Sequence, residues 1–270
     1  MADRMSVLYD ASKCTACQAC SVACKQWNTL PGEKLPYFRS YQTHPTFDPN
    51  TYTFIAFREV RENNKMEWLF RKEQCMHCGE AACEKACPQD AISHTEYGFV
   101  VIDHAKCIGC GFCVTNCTFN VPRVNPKTQK SYKCTGCPER VANGLKPACV
   151  QTCQPEALVY GPRDQIMTMA RSRYEQIKPV HTRAVLYDGQ NLNGINFTYI
   201  MLRPPEFYGL PGDPHVPVSV DLWKKFVRPF GGLAIGGALL ATAIGYIKTR
   251  GQADPYDAAP TDKKGVEKNG

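Results

Sequence analysis

The arrangement of cysteines constrains this chain more than any other feature of its sequence. The sixteen cysteines of the 270-residue chain fall into four groups of four. The groups at 14–24 and 107–117 share the spacing C-x-x-C-x-x-C-x-x-x-C. The groups at 75–87 and 134–153 keep the first and last intervals of that spacing around a longer middle interval. Four soft thiolate ligands in each of four places indicate metal clusters, and cluster binding would supply much of the order of the fold.

The repeated spacing is that of bacterial ferredoxins. In those proteins three closely spaced cysteines bind one [4Fe–4S] cluster, and the fourth cysteine binds the neighbouring cluster. Sixteen ligands at four per cluster predict four [4Fe–4S] clusters. Because cysteine closes every predicted iron site, no iron is left open to a substrate. The sequence therefore predicts an electron-transfer chain without catalytic residues of its own.

An internal repeat predicts how the cysteine groups are organised. The segment 7–14 aligns without gaps on 100–107, with Asp four residues and Lys one residue before the first cysteine. The segments 87–92 and 153–158 share a Pro, an acidic residue and an Ala-aliphatic pair. These repeats predict an α+β fold of two nested ferredoxin-like 2×[4Fe–4S] units with insertions. A separate apolar segment, described below, adds one C-terminal transmembrane helix to this prediction.

The repeat also predicts the domain boundaries and a few local elements. Turn residues between two apolar, β-prone runs predict a hairpin with strands at 51–60 and 66–70, and 138–144 is typical of a short helix. The predicted parts are an outer unit at 1–24 and 134–160, an insertion with the hairpin at 25–74, an inner unit at 75–133, an extended arm or interface segment at 161–222, a transmembrane helix at 226–247 and a polar tail at 248–270.

The ferredoxin rule and the nesting together predict which cysteines share a cluster. The two members of each nested pair exchange their fourth ligands. The predicted ligand sets are site 1 with Cys14, Cys17, Cys20 and Cys153; site 2 with Cys134, Cys137, Cys149 and Cys24; site 3 with Cys75, Cys78, Cys83 and Cys117; and site 4 with Cys107, Cys110, Cys113 and Cys87.

A long uncharged segment follows the last cysteine group. Residues 229–247 contain no charged side chain and are rich in Gly and Ala, with Lys or Arg on both flanks. This pattern predicts one membrane-spanning helix, and a buried helix of a soluble core is the alternative. Because both flanks are basic, the distribution of charge does not settle the orientation.

Charge and cysteine usage argue against other classes of protein. The formal net charge is +7, but four [4Fe–4S] sites at about −2 each would bring it to about −1. We therefore predict no nucleic-acid partner. The N-terminus lacks a secretory pattern, which argues against a disulfide framework. The third cysteine and the x-x-x-C closure of each group argue against zinc ribbons.

Two kinds of residue near the predicted ligands remain open to two interpretations. Lys13, Lys106 and Lys133 each precede the first cysteine of a group, where they could raise a cluster potential or be solvated. His77, inside the second group, could tune a cluster by hydrogen bonding or fill the loop.

The motifs at 13–28, 75–83, 107–110 and 134–140 resemble those of the four-cluster electron-transfer subunits of the molybdopterin oxidoreductase family. With the C-terminal apolar segment, the chain is most similar to the beta subunits of membrane-bound respiratory formate dehydrogenases. The resemblance implies a molybdenum- or tungsten-pterin catalytic (alpha) subunit that oxidises formate. It also implies a membrane cytochrome b (gamma) subunit that reduces quinone.

The same resemblance implies a location and leaves alternatives. Its members are single-pass proteins of the bacterial inner (cytoplasmic) membrane, anchored in lipid by the one helix, with the cluster domain on the periplasmic side. An iron-sulfur subunit of a membrane-bound nickel-iron hydrogenase, or of another molybdopterin oxidoreductase, would show similar motifs. The substrate of the partner, the metal of its pterin, the order of the clusters and the oligomeric state stay open at this level.

Overall fold

The structure is a computed structural model that describes residues 4–37 and 39–250. Its strands are β1 Met5–Asp10, β2 Phe54–Glu62, β3 Lys65–Glu73, β4 Ile92–His94, β5 Val100–Ile102, β6 Arg123–Asn125, β7 Lys130–Tyr132, β8 Leu158–Pro162, β9 Val185–Tyr187 and β10 Phe197–Met201. Its helices are α1 Ala19–Trp27, α2 Ala82–Lys85, α3 Phe112–Thr115, α4 Pro138–Ala142, α5 Ala148–Gln151, α6 Arg163–Ile177, α7 Val218–Leu222 and α8 Arg228–Thr249, with a π-helical turn at Trp223–Val227 and 3₁₀ turns at Gln190–Leu192 and Pro205–Tyr208.

A four-stranded mixed sheet organises the cysteine-rich part of the chain. Its strand order is β8-β1-β10-β9. Strand β1 runs parallel to β10, with Val7 opposite Phe197 and Tyr9 opposite Tyr199. Strands β8 and β9 are antiparallel to their neighbours. The first strand of the chain therefore lies in the middle of the sheet, next to a strand that is distant in sequence.

The two faces of this sheet are buried against different partners. On one face, Leu8 and Ile200 pack with Ile166 and Ala170 of α6. On the other face, alternate residues such as Tyr9 belong to the core cluster that includes several cysteines. Because side chains alternate along a strand, the same two central strands serve both layers. The face away from α6 is the one that supports the candidate sites.

The segment 161–222 differs from the extended arm that the sequence predicts. It forms α6 and contributes β9 and β10 to the main sheet, and all five residues of Phe197–Met201 are buried. A strand that is buried on both faces and paired on both edges is part of the core. The prediction of an arm was wrong here because the parallel partner of β10 is β1, at the opposite end of the sequence.

Three two-stranded hairpins surround the sheet, formed by β2 with β3, β4 with β5, and β6 with β7. The longest, β2–β3, is tied to the sheet by buried tyrosines. The Tyr9 hydroxyl donates to the Phe70 carbonyl at 2.9 Å, and the Tyr199 hydroxyl donates to the Lys72 carbonyl at 3.0 Å. On its outer side, Arg203 forms ion pairs with Glu62 and Glu67.

The chain divides into two units, Met1–Asp221 and Leu222–Gly270. Among the residues that the structure describes, no helix combines the length and the apolar character that crossing a membrane requires. The span predicted at 226–247 therefore gains no support from the structure. Several of its side chains, at 226, 228, 229 and 231–235, lie outside the described residues, as does the predicted tail from 251 onward.

Candidate cluster-binding sites

Each cysteine group begins with the same unusual backbone turn. The residue directly before the second cysteine has a positive φ in all four groups: 55° at Ala16, 48° at His77, 71° at Gly109 and 75° at Gly136. Side chains other than glycine rarely adopt this left-handed region. Such turns point successive backbone N–H groups toward one concave side, where they stabilise negative charge. The four groups thus share a local geometry suited to an anionic cluster.

The cysteines predicted for site 1 line one cavity. Cys14, Cys17 and Cys20 reach it from the first loop and α1, and Cys153 reaches it from the segment before β8. The cavity measures about 340 Å³, including the space at its mouth. The structure therefore places a cysteine from the fourth group beside three from the first.

The cysteines predicted for site 3 also surround a cavity, of about 410 Å³. Three of them, Cys75, Cys78 and Cys83, come from the second group, and Cys117 comes from the third group. The thiol of Cys83 is buried at the start of α2. This cavity lies beside the β5 residue Val100, within the inner pair of cysteine groups.

The cavity of site 4 has the reciprocal composition. Cys107, Cys110 and Cys113 of the third group line it together with Cys87 of the second group, around a volume of about 350 Å³. Sites 3 and 4 thus exchange one cysteine each. This is the exchange that the ferredoxin spacing predicts for neighbouring clusters.

The four cysteines predicted for site 2 gather where α1 packs against α5. Burial raises the pKa of the Cys24 thiol well above its ordinary value, and the neighbouring thiolates of Cys134, Cys149 and Cys137 raise it further. Cys24 therefore lies among cysteines of the fourth group, although it follows Cys20 by a single helical turn.

The chemistry of the lining fits iron-sulfur clusters. The three cavities are lined by thiols, by apolar, amide and hydroxyl side chains, and by the lysines Lys72 and Lys133, and no carboxylate lines them. Across residues 4–37 and 39–250, no three His, Cys, Asp or Glu side chains converge closely enough to bind one metal ion. Four thiols spaced around a cavity suit a group of several irons, because each thiolate then binds a different iron.

Burial disfavours ionisation of most of these thiols in the absence of metal. It raises the pKa of Cys20 and of Cys134 to about 12, and that of Cys117 to about 11. Neighbouring thiolates add to this effect at Cys20 and Cys134, and the positive charge of Lys72 opposes it there. Iron binding must therefore displace protons from buried thiols.

Successive sites lie close enough for thiolates of one site to raise the pKa of a thiol in the next, in addition to the larger effect of burial. These electrostatic effects connect site 1 with site 2, site 2 with site 3, and site 3 with site 4, so the four sites follow a linear order. The thiol pairs that join them are Cys20 and Cys149, Cys134 and Cys75, and Cys83 and Cys113.

The two ends of this series reach the surface. Of the sixteen cysteines, Cys17 of site 1 and Cys110 of site 4 are exposed, and the others are buried or half-buried. Sites 2 and 3 lie between them. The series therefore has one exposed terminus at each end and an enclosed middle.

Several residues that sequence reasoning missed or left open also contact the sites. Ser131 donates its backbone N–H to the Cys107 sulfur at 3.4 Å, and its hydroxyl lies 3.2 Å from the Cys113 sulfur. Lys133 is buried, and its ammonium donates to the carbonyls of Val100 and Cys134. No pattern in the sequence marks Ser131, because it lies on the short strand β7, outside the cysteine groups.

The other two lysines that precede a cysteine group, Lys13 and Lys106, are exposed. His77 is fully buried, and its Nδ1 accepts a hydrogen bond from the Val100 N–H at 2.9 Å. Its Nε2 has no hydrogen-bond partner among the described protein atoms. Burial lowers the pKa of this imidazole well below its ordinary value, with Lys133 the next cause, so the ring is neutral.

Comparison with known families identifies the cysteine-rich region. Two models described as 4Fe-4S dicluster domains match the chain, one over residues 13–91 and one over residues 66–163. Two dicluster domains agree with clusters of the [4Fe–4S] type. The matches follow the order of the sequence, whereas the cavity of site 1 joins cysteines of the first and fourth groups.

Curated relatives cover most of the chain. The formate dehydrogenase iron-sulfur subunit of Haemophilus influenzae is 39% identical over 246 residues, which span 89% of this chain and 79% of the relative. The iron-sulfur subunit of the nitrate-inducible formate dehydrogenase of Escherichia coli is 37% identical, over 89% of this chain and 82% of the relative. The formate dehydrogenase-O iron-sulfur subunit of the same organism is 34% identical, over 91% and 83%.

Proposed function

Because this chain belongs to the family of formate dehydrogenase iron-sulfur subunits, we propose that it transfers electrons through four [4Fe–4S] clusters, bound at sites 1 to 4 in that spatial order. The observation that carries the proposal is the linear series of four cysteine quartets with an exposed cysteine at each end. An enclosed middle and two accessible ends are what a relay between two partners requires.

The partners in this proposal occupy the two exposed ends. A molybdenum- or tungsten-pterin catalytic subunit that oxidises formate supplies electrons at one end, and a membrane cytochrome b accepts them at the other and passes them to quinone. The names of the relatives favour formate dehydrogenase over the alternative of a nickel-iron hydrogenase or another molybdopterin oxidoreductase. Bond-making chemistry is assigned to the catalytic subunit, because this chain offers its clusters four thiols each.

The residues of the chain have three tasks in this mechanism. Their thiols bind the irons, and [4Fe–4S] clusters supply one-electron redox chemistry when bound. Backbone and hydroxyl donors next to the sulfurs, such as those of Ser131, stabilise negative charge and tune the potential. The apolar side chains packed around the buried cysteines limit access of water.

The location is a further part of the proposal. We infer that the chain is a single-pass protein of the bacterial inner membrane, with the cluster domain on the periplasmic side. Its support lies in the sequence, where the uncharged stretch 229–247 is flanked by basic residues.

Alkaline carbonate extraction tests this location. It should leave the wild-type chain with membranes, whereas Leu240→Arg, which adds a charge to the stretch, should release it. Release of the wild type would contradict a membrane span.

The cluster assignment can be tested with two neighbouring cysteines of α1. Cys20 and Cys24 are separated by one helical turn, yet they contribute to sites 1 and 2. In the purified full chain we expect about sixteen irons by analysis. Cys20→Ala and Cys24→Ala should each alter one EPR signal of the reduced protein, and the two signals should differ.

Each possible outcome of this experiment is informative. A wild-type chain without bound iron would contradict electron transfer. Loss of the same signal in both variants would contradict the ligand exchange but leave the clusters in place.

Co-purification tests the identity of the partner. In mild detergent it should recover a pterin enzyme that reduces the clusters with formate. Recovery of a nickel enzyme that reduces them with hydrogen would favour the hydrogenase alternative.

A further inference from the structure

A buried lysine lies between the first two sites. Lys72, near the end of β3, is 1% exposed, and its side chain lines the cavity of site 1 beside Cys20. Its positive charge also acts on site 2, where burial raises the pKa of Cys134 and Cys137 and Lys72 opposes that rise. One ammonium group therefore acts on both sites.

The hydrogen bonds of this ammonium go to uncharged groups. It donates to the Thr53 hydroxyl at 2.7 Å and to the side-chain oxygen of Gln74, and the centroid of the Phe197 ring lies 5.8 Å away. The adjacent acidic residue, Glu73, pairs with Arg71. In the part of the chain that the structure describes, no carboxylate forms an ion pair with Lys72.

A buried ammonium without an opposite charge is unstable in a protein interior. Burial alone would favour its neutral form. The free energy needed to remove a charge from water is much larger than the free energy gained from hydrogen bonds to neutral groups. The Lys72 side chain lines the same cavity as the four cysteines of site 1, and a [4Fe–4S] cluster bound by four thiolates carries a charge of about −2. The negative charge that balances Lys72 thus belongs to the two cluster sites.

We propose that the Lys72 ammonium is a fixed positive charge shared by sites 1 and 2, where it raises the reduction potentials of both clusters. The inference rests on the proposed function, since it concerns the clusters that these sites bind. A one-electron reduction takes each [4Fe–4S] site from about −2 to about −3. A positive charge nearby stabilises the reduced form more than the oxidised form. Lys72 therefore acts on electron transfer through its charge, by raising the two reduction potentials, and binds no iron.

The test is an EPR-monitored redox titration of the full-length, cluster-loaded chain under anaerobic conditions. Cys20→Ala and Cys24→Ala identify the signals of sites 1 and 2. Lys72→Met keeps the length of the side chain and removes its charge. We expect it to change the ratio of reduced to oxidised cluster at sites 1 and 2 by roughly tenfold, a fall of about 59 mV for a one-electron couple. Sites 3 and 4 should be almost unaffected.

Two further variants separate charge from packing. Gln74→Glu is nearly isosteric, keeps Lys72 and places a negative charge against its ammonium, so it should lower the same two potentials. Lys106→Met removes an equal charge from an exposed position and should leave sites 1 and 2 unchanged, because water screens surface charge. If Lys72→Met does not bind iron, Gln74→Glu decides the question.

The outcomes are distinct from those for the proposed function. A wild-type chain without cluster signals contradicts the electron-transfer function. A loaded wild type whose potentials at sites 1 and 2 stay the same in loaded Lys72→Met or Gln74→Glu contradicts only the role of Lys72. Loss of iron from all four sites in both variants would make Lys72 a structural residue and would also overturn the proposal.

Discussion

At the scale of single residues, the four sites depend on backbone conformations that most side chains avoid. Two of the left-handed positions before a second cysteine are glycines, and two are Ala16 and His77. A left-handed residue with a side chain costs about 1–2 kcal/mol. The first and second groups thus retain the turn despite that cost, and the other two avoid the cost with glycine. His77 also fills its loop, since its ring lies 5.2 Å from that of Phe99.

A substitution at Gly136 measures how far a site depends on the left-handed backbone turn before its second cysteine. A Cβ at this position would lie 2.5 Å from Cγ of Phe99. We expect Gly136→Ala to combine the left-handed cost of about 1–2 kcal/mol with overpacking of about 1–3 kcal/mol. The variant should lose its cluster absorbance at a lower temperature and contain less iron at site 2.

Gly144→Ala provides the matched control. Gly144 has a φ of 72°, close to that of Gly136, but a Cβ there meets no atom within 4 Å. It should therefore show the conformational cost alone. Equal losses in the two variants would contradict the importance of the Phe99 contact.

At the scale of elements, hairpin β2–β3 links the main sheet to the sites. Its strands follow the predicted runs closely, because alternating apolar residues and a turn are local signals. The residue after the hairpin, Gln74, leads directly into the first cysteine of site 3. Packing of the hairpin on Tyr9 and Tyr199 therefore positions Lys72 between sites 1 and 2 as well.

Tyr199 is the residue with which this linkage can be tested. Its buried hydroxyl donates to the Lys72 carbonyl and accepts from the Gln74 side-chain amide at 2.9 Å. Tyr199→Phe leaves both partners unsatisfied, which should cost about 1–3 kcal/mol of stability. Thermal unfolding of the loaded chain measures the loss.

The exposed Tyr37 serves as the control for this substitution. It is 85% exposed, so Tyr37→Phe should change the stability by no more than about 0.5 kcal/mol. Unchanged stability in Tyr199→Phe would show that the hydroxyl does not join the hairpin to β10.

At the scale of the whole molecule, the cysteines are part of the apolar core. The three core clusters that surround the sites each contain cysteine side chains. A core completed by metal couples folding to cluster assembly, because the metal-free thiols pack around cavities. The formal charge of +7 has the sign needed to balance anionic clusters.

This coupling predicts how iron uptake depends on pH. The pKa of Cys20 and of Cys134 is raised to about 12, so these thiols are protonated in the metal-free chain at neutral pH. Iron binds the thiolate, and each site therefore releases protons when it forms. Uptake should become more favourable as pH rises from 6 to 8, by about tenfold per pH unit for each proton released.

Anaerobic reconstitution at limiting iron and sulfide measures this dependence. An indicator dye in weakly buffered solution should report the released protons at the same time. Buffer with the same iron and sulfide but no protein gives the background. Uptake that is independent of pH, without proton release, would contradict the protonated state of the buried thiols.

The sequence alone predicted the ligands, the cluster type and most local elements, because cysteine spacing, strand alternation and turn residues act over a few neighbouring positions. Tertiary structure decided the relations among distant segments. The pairing of β1 with β10, the gathering of Cys24 with the fourth cysteine group and the succession of sites from Cys17 to Cys110 all depend on packing across the chain. The position of Lys72 is such a case, since the negative charges that stabilise its buried ammonium come from segments far from it in sequence.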